Sequence, residues 1–145
     1  MPSTRQQSLY EAIELFHFAF RAFTAGPDAV LARMGLARLH HRLLYFVARR
    51  PGQRVSDLLA TLGISKQALH GPLRQLVDAG LVRVEADAED RRARCLFLTQ
   101  PGETLEAQLS ASQSELLARV FRRRGRDAEA GWRQVMGLLA DQVKA

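Results

Sequence analysis

Amide, hydroxyl and basic side chains concentrate in two short stretches of the chain, residues 65–74 and residues 90–94. In the first stretch they recur three or four residues apart, a spacing that places them on one face of a helix. In the second, arginines crowd a turn beside an acid that can orient a guanidinium. Side chains of these types neutralise phosphates and hydrogen-bond to base edges, which is the chemistry of nucleic-acid recognition. The candidate DNA-binding residues are Ser65, Lys66, Gln67, His70, Arg74, Asp90, Arg91, Arg92 and Arg94.

Two short helices are predicted to position the first stretch. Ser56 is placed to cap the first helix, and Gly63 follows it where a left-handed residue commonly ends a helix. Ser65 is placed to cap the second helix, which ends at Gly80. Leucines at helical spacing bury one side of each helix, so the polar face of the second helix is left toward solvent, where it can enter a DNA groove.

A proline interrupts the pattern of the second helix. Pro72 follows Gly71 and has no amide hydrogen to donate, and its ring crowds the carbonyl of Ala68. An interior proline costs about 3 kcal/mol relative to alanine. Two alternatives follow: the helix bends at Gly71, or it starts later than Ser65.

A hairpin is predicted directly after this helix. Residues 81–86 and 94–99 alternate in polarity as strands do, and residues 87–92 form the polar turn between them. Two helices followed by such a hairpin make a winged helix-turn-helix, with the turn as the wing. The predicted fold class is mainly α with a small β-hairpin wing (α+β).

Longer helices are predicted on both sides of this module. Apolar residues three or four apart predict a helix over residues 6–24, and residues 25–28 (AGPD) are expected to end it. A second helix covers residues 37–50, a third covers 103–124, and the last, 127–143, is expected to bury Trp132, Val135, Met136 and Leu139.

The apolar stripes of the terminal helices exceed what one small module can cover. Pairing with a second copy of the chain would cover them and would place two recognition helices about one DNA turn apart. The alternative is that these helices fold back over their own module. The terminal helices are therefore predicted to form a dimerisation region.

Length and charge agree with one DNA-binding domain. The 145 residues are predicted to form a single domain: 1–35 as the N-terminal dimerisation helix and turn, 36–100 as the DNA-binding module, and 101–145 as the C-terminal dimerisation helices. These segments carry net charges of 0 (three basic against three acidic residues), +5 (eleven against six) and +1 (seven against six). The excess positive charge therefore lies in the predicted DNA-binding module, which would need it to neutralise DNA phosphates.

Composition excludes several other classes of protein. A hydrophobic content of 47% excludes general disorder. The sequence has no run of about 18 uncharged apolar residues that could span a membrane, and its first ten residues lack the apolar core of a secretory signal. A cytoplasmic protein is expected. The single cysteine, Cys95, cannot form an internal disulfide or a thiolate zinc cluster.

The ordered set of motifs resembles the MarR family of bacterial transcription regulators. Residues 90–93 (DRRA) and 96–102 (LFLTQPG) are similar to the family's wing, an Asp-x-Arg followed by a strand ending Leu-Thr-x-x-Gly. Residues 55–59, 62–66 and 80–82 match its helix-turn-helix in order and spacing. The resemblance implies a homodimer held by helices from both termini, a recognition helix in the major groove and a wing arginine in the minor groove. It also implies release from DNA by small acidic or phenolic molecules.

Within that arrangement each candidate residue has an expected role. Arg92, at the wing tip, is suited to a narrow A·T-rich minor groove, with Asp90 holding its guanidinium. The other arginines of the wing are expected at phosphates. Gln67 is suited to adenine and Arg74 to guanine or phosphate, while Ser65 and Lys66 lie where helix amides favour phosphate. His70 is expected to contribute a groove contact.

A ligand pocket is expected, from the resemblance, between the terminal helices and the winged module. Its candidate residues are Phe20, His40, His41 and Tyr45, where a histidine could pair with a small aromatic or anionic effector. The alternative is that both histidines are satisfied structural residues. A second candidate sensor is Cys95, whose thiol pKa the neighbouring Arg94 could lower, unless it is simply a small apolar strand residue.

No cofactor or metal is predicted. A metal site near His17, His40 and His41 is not favoured, because adjacent histidines on a helix point in different directions and at most one of them can join a given site. The sequence lacks a phosphate loop, a nucleophile elbow and a metalloprotease motif, so an enzyme is not predicted. The function predicted is a sequence-specific, double-stranded-DNA-binding transcription regulator, a ligand-responsive homodimeric repressor at an inverted-repeat operator. The alternatives are a protein-interaction winged helix and a non-specific architectural DNA-binding protein.

Overall fold

The computed structural model describes residues 1–144, and six helices and one antiparallel strand pair lie within that range. In chain order the elements are α1 (Thr4–Arg33), α2 (Arg38–Arg49), α3 (Val55–Leu62), α4 (Lys66–Asp78), β1 (Val82–Ala86), β2 (Arg94–Leu98), α5 (Gln100–Arg124) and α6 (Arg126–Lys144). The predicted fold class, mainly α with a hairpin wing, is confirmed. None of these helices is both long enough and apolar enough to cross a bilayer.

A single cluster of aliphatic side chains holds the module together, with α2 at its centre. Leu43, Leu44 and Val47 share one face of α2 and are fully buried. Around them pack buried leucines from every neighbouring element: Leu31, Leu58, Leu69, Leu76, Leu96, Leu105 and Leu109. Burying one such side chain contributes about 1.5–3 kcal/mol. This core fixes α4 and the hairpin relative to each other.

The helix-turn-helix follows local capping rules, with one correction. α3 begins at Val55, so the prediction that Ser56 caps it is wrong. The Asp57 carboxylate instead accepts a hydrogen bond from the backbone N–H of Arg54 at 3.3 Å, one turn back. The other two signals are confirmed: Gly63 has a φ of 65°, and the Ser65 hydroxyl accepts from the N–H of Ala68 at 3.1 Å.

The recognition helix α4 tolerates its proline. It begins at Lys66, directly after the Ser65 cap, so a later start is wrong. Residues 66–78 form one continuous helix with Pro72 inside it. Ala68, whose carbonyl loses its helical partner to this proline, is exposed to solvent, where water can satisfy that carbonyl.

The wing is an antiparallel pair that has an additional segment on its outer edge. β1 and β2 pair from Val82 opposite Leu98 to Ala86 opposite Arg94. On the other side of β2, the Leu96 carbonyl accepts from Gly52 N–H at 2.8 Å, and its N–H donates to the Gln53 carbonyl at 2.9 Å. The α2–α3 connection therefore ties the wing to the module.

The start of α5 differs from its prediction. α5 begins at Gln100 rather than Glu103, because Thr99 caps the helix by accepting from Gly102 N–H at 3.1 Å. Pro101 lies in the first turn, where a missing N–H costs nothing. Thr99 was predicted as the last strand residue, and its hydroxyl also donates to the Gly80 carbonyl at 2.6 Å.

The predicted end of the first helix at residues 25–28 is wrong, since α1 continues through Pro27 to Arg33. Pro27 leaves the carbonyl of Phe23 without its helical donor. The Gln113 side chain on α5 supplies one, at 3.2 Å. Gly26 allows the two helices to approach, since a Cβ there would lie 2.6 Å from the Ser112 hydroxyl. A contact from another helix thus replaces the lost hydrogen bond.

The terminal helices leave their apolar faces uncovered in the single chain. On α1, Leu9, Ile13 and Phe16 are each about half exposed or more. The prediction that α6 buries its apolar residues is wrong for the single chain. Trp132 is 41% exposed, Val135 is 66% exposed, and no residue of α6 is buried. α6 packs on α5, where the Trp132 and Phe121 rings lie 5.2 Å apart. The alternative in which these helices cover their own module is not what the structure shows.

Candidate nucleic-acid interface and ligand cleft

The exposed face of α4 carries the predicted groove-reading residues. Leu69 and Leu76 are fully buried and orient the helix, which leaves Lys66, Gln67, His70 and Arg74 together on the solvent side. Arg74 lies 4.0 Å from Asp78 with both side chains 72% exposed, a contact that contributes little. The helix face therefore presents donors and a cation that remain available to bases and phosphates.

The wing turn is organised by two carboxylates. Asp87 accepts from the backbone N–H groups of Glu89, at 2.8 Å, and Asp90, at 3.3 Å. Asp90 in turn accepts from the backbone N–H of Arg92 at 3.0 Å. Short acidic side chains in turns bond the amide two residues on. The prediction that Asp90 holds the Arg92 guanidinium is wrong for this structure, in which Asp90 fixes the backbone instead.

Three arginines project from this turn and the strand that follows. Arg91, Arg92 and Arg94 are exposed, and within residues 1–144 none of them makes an ion pair. Because hydrogen bonds fix the backbone of the turn, its unpaired guanidinium groups are well placed to contact DNA phosphates or a narrow minor groove. Their roles on DNA remain predictions.

An ion pair that the sequence did not reveal anchors the wing. Arg54, at the start of α3, pairs with Asp87 at 2.9 Å across 33 residues. The two backbone N–H donors, together with Arg54, lower the pKa of the Asp87 carboxyl. Arg54 thereby couples the helix-turn-helix to the wing. No local spacing predicts a pair this distant in sequence.

The Asp87 carboxylate also lies beside Cys95, and it argues against a reactive thiol at that position. The half-buried Cys95 thiol lies 3.6 Å from Asp87 Oδ2. Partial burial and that carboxylate raise the pKa of the Cys95 thiol, whereas activation was expected to lower it. The proposed activation by Arg94 is wrong, and Cys95 is a strand residue donating a weak hydrogen bond.

A cleft of about 600 Å³ opens between α1, α2 and α5. Three of the four predicted pocket residues, Phe20, His41 and Tyr45, line it, together with apolar side chains of α1 and α5. Its size and mixed lining are typical of sites for small organic molecules. Within residues 1–144 no three potential metal ligands cluster here or elsewhere.

His40 does not line this cleft, so its prediction as a pocket residue is wrong. Its Nδ1 accepts from the backbone N–H of Ala37 at 2.9 Å, and its Nε2 lies 2.8 Å from the Gln75 side-chain oxygen. These partners require the tautomer with hydrogen on Nε2. His40 therefore joins the start of α2 to α4 and is the satisfied structural histidine that sequence reasoning weighed as an alternative.

His41, the next residue, is one of the residues that line the cleft. Its side-chain Nε2 is buried and makes no hydrogen bond within the described part of the chain. Burial lowers the pKa of the imidazole, and the carboxylates of Glu106 and Asp28 only partly oppose that effect. An unpaired buried polar group costs about 1–3 kcal/mol. The unpaired nitrogen therefore lies within the wall of the cleft and is not exposed on the cleft surface.

Arginines and acids of three helices surround this histidine. Arg38 pairs with Asp28 at 2.9 Å, and Arg49 pairs with Glu106 at 3.0 Å. Glu106 is only 5% exposed and also accepts from the Ser110 hydroxyl at 2.7 Å. Arg42 lines the cleft and, within residues 1–144, has no ion pair. Sequence reasoning missed this set because its members come from separate helices.

Comparison with known proteins agrees with this arrangement. The model of the MarR family matches residues 34–93, from the end of α1 to the wing. The HTH-type transcriptional regulator PetP of Rhodobacter capsulatus is 41% identical over 135 residues, covering 93% of this chain and 81% of PetP.

Solved structures share the fold over nearly the whole chain. The crystal structure of NadR in complex with 4-hydroxyphenylacetate has a TM-score of 0.72 at 23% identity and covers 99% of both chains. AbsC, a MarR family regulator from Streptomyces coelicolor, has a TM-score of 0.77 at 20% identity, covering 99% of this chain and 97% of AbsC. The match to the MarR family model and the 41% identity to PetP show that the chain belongs to the MarR family and is a DNA-binding transcription regulator, which agrees with its winged module and exposed basic face.

Proposed function

We propose that this regulator is a homodimeric repressor that binds an inverted-repeat operator and is released by a small aromatic or anionic effector. The observation that carries the proposal is the contrast between the two parts of the chain. The winged module has a complete core, whereas the helices at both ends expose apolar faces. A second copy of the chain would bury those apolar faces. It would also supply a second recognition helix and so set the spacing of the two half-sites on DNA.

The uncovered surface is large and lies on two helices. Ile13 is 65% exposed on α1, and Val135 and Leu138 are 66% and 70% exposed on α6. Monomeric proteins rarely leave apolar patches of this extent in water. A two-fold interface buries the same patch on both copies and so removes both at once.

A two-fold axis duplicates the recognition helix. Two copies of α4 related by that axis would enter successive major grooves about 34–36 Å apart, so the DNA site is an inverted repeat. The unpaired wing arginines would contact the flanking minor grooves or phosphates. A dimer seated on a promoter competes with polymerase for the same DNA, which is why repression is the direction proposed.

The cleft supports the proposed response to an effector. Its walls come from α1 and α5, which form the proposed dimer region, and from α2, the centre of the module core. A molecule bound there would contact both parts and would favour whichever relative arrangement it binds better. NadR, which shares the fold, was solved in complex with 4-hydroxyphenylacetate.

Selection of bound duplexes from a random DNA pool, at moderate and at high salt, tests the DNA-binding part of the proposal. The expected result is an enriched inverted repeat with half-sites about one turn apart that survives the higher salt. Binding only at low salt with no enriched sequence would leave an architectural protein. No binding to duplex DNA at all would leave a protein-interaction module.

A further inference from the structure

We propose that a cluster of arginines at the junction of α5 and α6 binds the phosphate backbone of a second DNA duplex while the winged module holds the first. This cluster, the arginine tip, consists of Arg119, Arg122, Arg123, Arg124 and Arg126. Its partner is a duplex recognised by charge and not by base sequence. The inference depends on DNA binding by the winged module, and it does not depend on the proposed effector response.

The tip concentrates positive charge that the sum over its segment conceals. Residues 116–126 contain five arginines and no acidic residue. The segment 101–145 has a net charge of only +1, because its remaining side chains, two basic against six acidic, sum to −4. Residues 119–126 alone therefore carry +5, the same net charge as the whole of residues 36–100.

These charges are free to meet a partner in solution. All five arginines of the tip are exposed, and within residues 1–144 none of them makes an ion pair. Arg119, Arg122 and Arg123 are three and four residues apart, so they share one side of α5. On the other side, Phe121 packs against Trp132 of α6 with the ring centroids 5.2 Å apart. That contact directs the arginine side of α5 away from α6.

Helix stability accounts for only part of the cluster. Cations in the last turn of a helix interact favourably with its dipole, which explains the arginines at residues 122–124. Arg119 lies before that turn, and Arg126 is the first residue of α6, where the dipole disfavours a cation. Like charges three or four residues apart also repel each other. A polyanion bound at the tip would relieve this repulsion.

The length of α5 separates the tip from the wing. α5 follows the paired ends of the strands, Val82 opposite Leu98, which lie away from the wing turn. Its 25 residues then extend for about 37 Å. The tip lies at the far end of this helix, so a duplex bound by the wing and α4 leaves the tip free for another duplex.

The character of the surface favours DNA over a protein partner. Protein interfaces have an apolar core surrounded by a polar rim. In the last two turns of α5, the side that carries Arg119, Arg122 and Arg123 has no large apolar side chain. Neutralisation of phosphates requires only exposed cations. A regulator bound to its site is also close to other segments of the same DNA, and this high effective concentration favours even a weak second contact.

A two-duplex capture assay with the full-length protein tests the inference. The first duplex carries the inverted repeat enriched by selection and is immobilised; unbound protein is washed away, and a fluorescent duplex of unrelated sequence is added. The expected result is retention of the second duplex only where protein is bound, falling steeply with salt as phosphate contacts are lost. If selection enriches no sequence, the random pool itself is immobilised, so failure of the proposed operator is distinguishable from failure of this inference.

A triple variant of the tip makes the assignment specific. Arg119→Gln, Arg122→Gln and Arg123→Gln together remove three charges while keeping good helix formers. Binding of the second duplex is expected to weaken by about 10²-fold or more at about 0.1 M salt, and the salt slope to fall by about three. Affinity for the first duplex should not change, because charges more than about 10 Å away are screened at this salt.

Two further variants are controls for charge. Lysine at the same three positions should keep most of the capture, since phosphate contact requires the charge. Arg5→Gln, Arg21→Gln and Arg33→Gln together remove the same charge from exposed positions spread along α1, and this protein should capture the second duplex as the wild type does. An equal loss in the α1 variant would mean that net charge alone is responsible and would overturn a local site.

The other outcomes are equally decisive. A wild type that captures no second duplex, or capture that the glutamine variant of the tip retains, overturns the inference. Equal losses on both duplexes would place the tip in the first DNA site. A tip variant that is monomeric by light scattering, beside a dimeric wild type, would show that these arginines pair with the second copy instead. Retention of anionic lipid vesicles but not of duplex would assign the tip to a membrane surface. Circular dichroism of the variant that matches the wild type excludes unfolding as the cause of any loss.

Discussion

Adjacent residues on a helix point about 100° apart, and that rotation separates His40 from His41. The first points toward α4 and is held by Ala37 and Gln75. The second lines the cleft, and its Nε2 is buried without a hydrogen-bond partner within residues 1–144. Residue type and neighbours in the sequence are almost the same, so the difference in role arises from the helix geometry alone.

The wing tip offers a test at a single side chain. Arg92 is exposed and unpaired within residues 1–144, and its backbone is fixed by Asp90. Arg92→Ala is expected to weaken binding by about 1–3 kcal/mol on operators with A·T-rich flanks, where the narrow groove concentrates negative potential, and by less on G·C-rich flanks. Fluorescence anisotropy on paired operators measures this difference.

Arg91→Ala is the control. Because Arg91 is expected to contact phosphate, this variant should lose affinity equally on both operators. An equal loss for Arg92→Ala would reduce its role to phosphate binding.

Gly102 is required by its packing. A Cβ at this position would lie 2.0 Å from the Leu81 carbonyl oxygen and 2.9 Å from the carbonyl carbon, both backbone atoms that the wing holds in place. Gly102→Ala is therefore expected to lower the free energy of unfolding by about 1–3 kcal/mol, measured by urea denaturation. Gly137→Ala, with open space around its Cβ and on the polar face of α6, should be neutral or stabilising by about 0.5–1 kcal/mol. Similar stability of the two variants would contradict the close approach.

At the level of elements, the wing is held by a charge whose effect depends on pH. Because the folded state lowers the pKa of Asp87, its stabilisation is present above the ordinary carboxyl range and is lost as pH falls through the lowered value. Asp87→Asn should reduce the melting temperature by a few degrees near neutral pH, and the difference from wild type should shrink as the pH falls through the lowered pKa of Asp87. Asp78→Asn, which loses only an exposed 4.0 Å contact, should show no such trend. A constant difference for Asp87→Asn at every pH would show that the charge contributes nothing.

The crossing of α1 and α5 depends on a side chain that replaces a backbone hydrogen bond. Gln113→Leu is expected to cost about 1–3 kcal/mol, because it leaves the Phe23 carbonyl unsatisfied beside Pro27. In a Pro27→Ala background, the restored N–H can donate to that carbonyl, so the same substitution should cost at least about 1 kcal/mol less. Denaturant unfolding of the four proteins of this cycle measures the coupling. Equal costs in both backgrounds would show that Gln113 does not act through Phe23.

These elements also show what local sequence can predict. Ser65, Gly63 and the alternation of the strands act within a few residues, and each predicted the structure correctly. Gly26-Pro27 failed as a helix end because the compensating donor, Gln113 on α5, is 90 residues away from the Phe23 carbonyl that it satisfies. The Arg54–Asp87 pair and the acids around His41 were missed for the same reason. The predicted helix face and wing thus follow from local rules, whereas the cleft depends on how distant helices meet.

For the whole molecule, the uncovered faces of α1 and α6 make assembly the decisive property. Val135 is 66% exposed on the apolar side of α6, so Val135→Glu would place a charge inside the proposed two-fold interface without disturbing the core of the single chain. The expected result by light scattering at micromolar concentration is a dimeric wild type and a monomeric variant with unchanged helical content.

DNA affinity is expected to follow assembly, because a dimer engages both half-sites while a monomer engages one. Losing the second contact should weaken operator binding by about 10²–10⁴-fold, with non-specific binding much less affected. Gln134→Glu, which adds the same charge on the opposite side of α6, is the matched control and should remain a dimer with full affinity. A wild type that is monomeric at micromolar concentration yet selects an inverted repeat, or a Val135→Glu variant that stays dimeric, would mean that another surface joins the copies. In that case the exposed helices would have to serve a different partner.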